Sequence, residues 1–186
     1  MDTDLWLGSK VRKRQIPRLW VFTGEVGAGK TLTCQHLVEE AREQGWNVAG
    51  ILSPGVYQEG YKVAIEAVDL RRGERRLLAR RRKTGEVAGV HTREWWFDPA
   101  ALAWGNTVFE TAVPCDLLVV DEVGPLELEY GQGWVAALAA LASRAYRLGV
   151  VVLRPSLLPL AARWAPVHVL AIRQPNPALR LPDLMG

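Results

Sequence analysis

Residues 24 to 31 read Gly24-Glu25-Val26-Gly27-Ala28-Gly29-Lys30-Thr31, which satisfies the spacing GxxxxGK[ST] at every fixed position. Glycines so placed let the main chain curl until successive N–H groups point inward. A helix starting where the loop ends adds partial positive charge to the same spot. A concavity of that kind takes phosphate oxygens. Lys30 is expected to reach the β- and γ-phosphates of a nucleoside triphosphate, and Thr31 to offer its hydroxyl to a magnesium ion that neutralises charge as the γ-phosphoryl departs.

A second candidate is Leu117-Leu118-Val119-Val120-Asp121-Glu122, an apolar run that delivers two carboxylates at its end. Asp121 suits orientation of magnesium through its water shell. Glu122, one residue on, suits polarisation of a water molecule in line with the γ-phosphorus, which points to hydrolysis. The carboxylate pair is expected on the strand adjacent to the one that feeds the loop. Arg154 is a candidate by position for stabilising transition-state charge. Arg75, Arg76, Arg80, Arg81 and Arg82 form either a solvated hairpin, the preferred assignment, or a lid over the phosphates. His36, His91 and His168 show no metal-ligand spacing with each other or with Cys34 and Cys115, and both cysteines read as small core residues. Trp20 and Trp134 fit core positions. One of Trp95 and Trp96 must face outward if they lie on a strand, and is then available to stack on a nucleobase.

The elements that must position these residues follow from periodicity. Leu19 to Thr23 is a short apolar run that stops at Gly24, as a strand buried on both faces does. Cys34, Leu37, Val38 and Ala41 recur at helical spacing between Lys30 and Gln44, with Gly45 as a stop. Residues 48 to 52 read as a second strand broken by Ser53-Pro54-Gly55. Residues 61 to 80 alternate apolar and polar around a turn at Arg71 to Glu74, as a β-hairpin does. Asp98-Pro99 reads as an N-cap with proline in the first turn of a helix running to about Thr111. Residues 116 to 121 form the most strand-like stretch. A helix carries Trp134, Val135, Leu138, Leu141, Ala142 and Ala145 and ends near Gly149. Strands follow at 150 to 153 and 167 to 171, and the proline-bearing tail from Gln174 to Pro182 is expected to wrap the surface as coil.

The chain has 186 residues, 49% of them hydrophobic and 23% charged, which suits one compact globular domain. A basic leader over 1 to 18 is expected to precede a single domain over 19 to 186. The formal charge is +3, with basic runs in the leader and at Arg71 to Lys83, the latter holding eight basic residues. Both runs read as solvated faces ahead of a nucleic-acid surface. Two cysteines make no disulfide framework, and neither a signal peptide nor a stretch of about 18 apolar residues is evident, so a cytoplasmic protein without a membrane span is expected. A monomer is the default.

Taken together these motifs resemble the small THEP-type P-loop nucleoside-triphosphatase family, which also has a human cancer-related member. The likeness spans about residues 19 to 183 and is most specific at VVDEVGPLELEY, residues 119 to 130; GILSPGVYQEGYKVAIEAVDLRRGERRLLAR at 50 to 80 is similar to the family's strand, turn and hairpin. It implies a Rossmann-like, three-layer α/β fold with a mostly parallel sheet and an added antiparallel hairpin. It also implies magnesium-dependent hydrolysis of ATP, GTP and other nucleoside triphosphates to the diphosphate and phosphate. Carried over, Gly24 to Thr31 would hold phosphates, Asp121 would serve magnesium and Glu122 would act on water. Ala64, Ile65 and Glu66 depart from the family's Gly-Phe-Asp. A nucleotide kinase and a partner-activated nucleotide switch associated with nucleic acid are the competing classes.

Overall fold

The computed structural model describes residues 16–186, so most of the basic leader lies outside the described residues. Five strands run parallel. β1 (Arg18–Thr23), β2 (Val48–Leu52), β7 (Cys115–Val120), β8 (Tyr146–Leu153) and β9 (His168–Ala171) stand side by side in the order β2-β7-β8-β1-β9. Beyond their first two residues, where Arg18, Asp116 and Arg147 stand, β1, β2, β7 and β8 are almost wholly apolar because helices cover both faces of the sheet, whereas β9 is mostly exposed. Along β1 the side chains alternate: Leu19 and Val21 join an apolar cluster on one face, Trp20 and Phe22 one on the other. The first cluster packs under α2 (Pro99–Glu110) and α4 (Val135–Ser143), the second under α1 (Lys30–Glu43) and α5 (Leu181–Met185). The result is the three-layer α/β arrangement that the resemblance implies. No helix among the described residues is long and apolar enough to cross a membrane.

The antiparallel part is larger than one hairpin. β3 (Gly55–Gln58), β4 (Tyr61–Asp69), β5 (Arg75–Arg81) and β6 (Trp95–Phe97) pair successively as antiparallel neighbours, and β4 joins the parallel strands through Ile51↔Asp69 and Leu52↔Val68. β3 and β6 are too short to show a period of two, and Ser53-Pro54-Gly55 is a corner between strands rather than an end of structure. Since β4 meets β2 only through its last residues, its first half overhangs the carboxyl ends of the parallel strands.

The helix expected to reach Gly149 ends at Ser143, with Arg144 in a left-handed conformation, φ 53°. Strand β8 begins at Tyr146 instead of 150 and runs straight through Gly149. Gly149 ends nothing: a side chain there would crowd the Tyr146 ring and Leu19. The tail is not all coil, because Leu181–Met185 forms a turn of helix that buries Leu181 and Leu184; Pro182 is tolerated in its first turn. Two short pieces were not expected, α3 (Pro125–Leu128) and a 3-10 helix over Pro155–Trp164. Asp98 is the N-cap that the sequence suggests, its carboxylate accepting from Ala100 N at 2.9 Å ahead of Pro99.

Trp134 is buried and sits edge-on to Phe109, 5.7 Å between ring centres, bringing α4 onto α2. Its Nε1–H finds no acceptor among the described residues. Trp134→Ala is therefore expected to lower unfolding free energy by about 3–5 kcal/mol, while Trp134→Phe, which keeps most of the ring and removes the orphaned donor, costs much less. Chemical denaturation of the two variants checks this; equal losses would contradict it. Trp20, by contrast, is only half-buried: it stacks on His168 at 4.8 Å and donates to Leu184 O at 3.0 Å. Cys34 is fully buried on α1, whereas Cys115 is half-buried at the start of β7. Burial raises the thiol pKa of both, that of Cys115 to about 12.

Candidate phosphate-binding and hydrolytic site

The loop from Gly24 to Gly29 joins β1 to α1 at the carboxyl edge of the sheet, where open α/β folds place their ligands. Gly24, Gly27 and Gly29 have φ of 147°, 81° and 85°, values that side chains rarely adopt. Two of them also lack room. A Cβ on Gly24 would meet Ile172 O, and one on Gly29 would meet the ring of Pro175. The tail thus lies against the loop, held by Ile172 N to Thr23 O at 2.7 Å, Asn176 N to Thr33 Oγ1 at 3.1 Å and Leu181 N to Glu40 Oε2 at 3.0 Å. Glu25, Val26 and Gly27 are exposed, with Ala28 half-buried beside them.

Gly29 caps α1 without a side chain, leaving the first amides of a 14-residue helix open to an anion. Lys30, the first helical residue, folds back over the loop, and its Nζ donates to Gly24 O and Glu25 O at 2.7 Å each. Burial lowers its pKa, while the charges of Glu122 and Asp121 work the other way. Lys30 and the carboxylate pair therefore share one electrostatic neighbourhood. Thr31 follows on the same turn and is half-buried.

Asp121 and Glu122 are not on the neighbouring strand. β8 lies between β1 and β7, so the carboxylate-bearing strand is the second one over. The physical reason is the crossover: α4 carries the chain back from β7 to a strand inserted beside β1, a choice that local periodicity does not encode. Arg154, immediately after β8, consequently comes off the strand between the loop and the carboxylates. It is exposed and its charge acts on Lys30.

Asp121 is completely buried. Oδ2 accepts from Ser53 N at 3.0 Å, and Ser53 Oγ donates to Asp121 O at 3.3 Å, so the end of β2 holds the carboxylate in place. Oδ1 makes no hydrogen bond of normal geometry among the described residues. Burial first, and then the charge of Glu122, raise the Asp121 pKa; the Ser53 amide, the Thr31 hydroxyl and Lys62 oppose the rise. A buried, half-satisfied carboxylate facing a threonine hydroxyl is what a hard divalent cation with oxygen ligands needs.

Glu122 occupies left-handed backbone space, φ 68°, rare for a residue with a Cβ and costing about 1 kcal/mol or more. Its Oε1 lies 3.6 Å from Lys62 Nζ. The loop that follows is fixed by Glu127, a buried carboxylate that accepts from Gly124 N at 2.9 Å and Trp134 N at 3.0 Å. Neither Lys62 nor Glu127 was singled out in the sequence. Lys62 sits on the face of an alternating strand that reads as solvated, and Glu127 interrupts an apolar run in which only the resemblance to an extended VVDEVGPLELEY signature gave a signal.

The arginine-rich stretch lies in the sheet and not over the loop. Arg75 pairs with Glu66, Arg76 with Glu74, Arg80 with Glu86 and Arg81 with Glu94. Arg76, Arg80 and Arg81 also lie over Trp104, Trp96 and Trp95 at 4.9, 4.5 and 4.5 Å. Trp95 faces in. Trp96, the outward member, has Arg80 on its ring and donates to Ala88 O at 3.1 Å, so it is not free to take a nucleobase.

The family model described as NTPase matches residues 20–175. Nucleoside-triphosphatase THEP1 of Methanopyrus kandleri is 34% identical over 114 residues, covering 61% of this chain and 62% of that protein. The THEP1 of Methanosarcina acetivorans is 29% identical over 143 residues, 76% and 79% of the two chains. The chain spans about three-fifths of the length of the first of these relatives. Among solved structures, that of a human cancer-related nucleoside triphosphatase superposes with a TM-score of 0.63 at 23% identity, covering 83% of this chain and 88% of that one. THEP1 from Aquifex aeolicus superposes with a TM-score of 0.57 at 10% identity, over 83% and 89%. With the loop, the inserted β8 and the Asp121-Glu122 pair all inside the matched stretch, the chain belongs to the THEP-type NTPase family.

Proposed function

We propose that this chain, through a single domain over residues 19 to 186, hydrolyses nucleoside triphosphates to the diphosphate and phosphate with magnesium. One observation carries the proposal above the others: Asp121 is buried with an oxygen that lacks a well-formed hydrogen bond near Thr31, Glu122 follows it with its charge acting on Lys30, and Gly24 and Gly29 of the loop leave no room for a side chain. The names of the relatives support the same activity.

Gly24 to Thr31 bind the triphosphate through main-chain amides, and Lys30 exchanges its carbonyl partners for β- and γ-phosphate oxygens. Asp121 and Thr31 are the residues that would hold magnesium. When bound, the ion supplies charge neutralisation across the β- and γ-phosphates. Glu122 takes a proton from water as the water oxygen bonds to the γ-phosphorus; the bond to the bridging β,γ-oxygen breaks, and the electron pair leaves with the diphosphate. The loop grips phosphate and not base, so ATP, GTP, CTP and UTP are all expected to turn over. The pairing of Arg75, Arg76, Arg80 and Arg81 with acids argues against a kinase lid and against a nucleic-acid face.

Phosphate release from each of the four nucleotides, with and without magnesium and with candidate acceptors, is the direct test. Free phosphate independent of acceptor is expected, at well under about one turnover per second, since P-loop hydrolases without a partner arginine are slow. A second nucleotide product would move the assignment to a kinase.

A further inference from the structure

Lys62 is not near Glu122 by accident of a flexible side chain. It lies in the overhanging half of β4, and its ammonium is 3.6 Å from Glu122 Oε1 and 5.5 Å from the centre of the buried Trp95 ring. Its main-chain carbonyl accepts from Arg81 Nε at 3.1 Å, which ties that point of β4 to β5. Across the strand pair, Gly55 leaves the space the side chain uses: a Cβ there would stand 2.9 Å from Lys62 Cε and 2.9 Å from the Tyr57 ring. Both partners are largely shielded, with the Lys62 and Glu122 side chains 20% and 31% exposed. The same ammonium acts on Asp121. An ion pair so guided, through a gap left by glycine and past a buried indole, differs from an open surface pair, which would be worth little.

We propose that Lys62 is a positioning residue for Glu122. Its ammonium holds the Glu122 carboxylate, whose charge also acts on Lys30 of the loop, and so sets where the proton-accepting oxygen stands when nucleotide arrives. The antiparallel β3–β4 pair, which the phosphate loop does not need, supplies that charge within the chain. This rests on the assignment of Glu122 as the group that acts on water.

The test is a cycle of Lys62→Met, Glu122→Gln and the double variant, with Lys62→Arg as the conservative change. Each is read by kcat and KM for magnesium-ATP, by affinity for a fluorescent ADP, and by melting temperature. Lys62→Met is expected to lower kcat by about ten- to a hundredfold, a part of what proton transfer by a placed base supplies. KM and ADP affinity should move by less than about threefold, since uniform binding is untouched. Lys62→Arg should recover most of the loss, and Lys62→Met should cost nothing more once Glu122 is already glutamine. In melting, the two single changes should likewise be non-additive. Multiplying kcat losses in the double variant, or a rise in KM with kcat intact, would overturn the role of Lys62 alone. Undiminished turnover in Glu122→Gln by itself would instead remove the assignment on which that role rests.

Discussion

Glu122→Gln is expected to bind magnesium-nucleotide as tightly as the parent protein and to lose turnover by about a hundredfold or more, the range that a positioned base contributes. Glutamine keeps the size and the left-handed backbone geometry at φ 68°, and keeps an oxygen toward Lys62. It cannot accept the proton of the attacking water. The amide oxygen still accepts from the Lys62 ammonium, so the fold should be unchanged. Single-turnover phosphate release beside equilibrium binding of ADP separates the two effects. Turnover within a few-fold of the parent would remove Glu122 from the mechanism, whatever the binding result.

Asp121→Asn should behave in the opposite sense in stability. In the free protein the buried carboxyl has a pKa raised by burial and by Glu122. A raised folded pKa means that the folded chain holds this proton more tightly than the unfolded one. The associated stability is fully present below the ordinary carboxyl pKa and is lost as pH rises through the folded value. Asparagine has no charge to bury. Without nucleotide and magnesium, Asp121→Asn should therefore melt higher than the parent at pH 8, with the gap closing as pH falls toward the ordinary carboxylate range. Magnesium with nucleotide should raise the melting temperature of the parent far more than that of the variant, because only the parent offers a carboxylate to the ion. Magnesium-dependent activity should fall by about tenfold to a hundredfold or more, the scale seen when groups around a metal are altered. Melting scans at several pH values, with and without magnesium-ADP, check the sign. A variant less stable than the parent at pH 8 would contradict the proposed electrostatics.

How much of this was legible beforehand differs by element. The phosphate loop was, since GxxxxGK[ST] fixes glycines where φ is positive and puts lysine on the first turn of α1. So was the Asp98 cap, whose side-chain geometry follows from Asp-Pro ahead of an apolar period. The apolar run ending in Asp121 gave β7 but not its neighbours. Which strand lies beside which is decided by how crossovers pack, and β8 reads the same in sequence whether it stands at the edge or in the middle. The extent of β8 is not legible because Gly149 reads in sequence as a helix stop, whereas its place is set by the Tyr146 ring pressed against it. β3 and β6 have four and three residues, too few to show alternation. Lys62 is not legible for a different reason: an alternating strand marks its polar face as wet, and only the tertiary contact with Glu122, far off in sequence, shows that this face meets the end of β7.

The strand interposed between loop and acids also acts as a ruler. Neighbouring strands stand about 4.8 Å apart, so skipping one places the tip of β1, which feeds the loop, about 10 Å from the tip of β7, which carries the acids. In the proposed reaction that doubled step would set how far the loop stands from the acids, a separation held by the hydrogen-bonded ladder of the sheet and not by any loop.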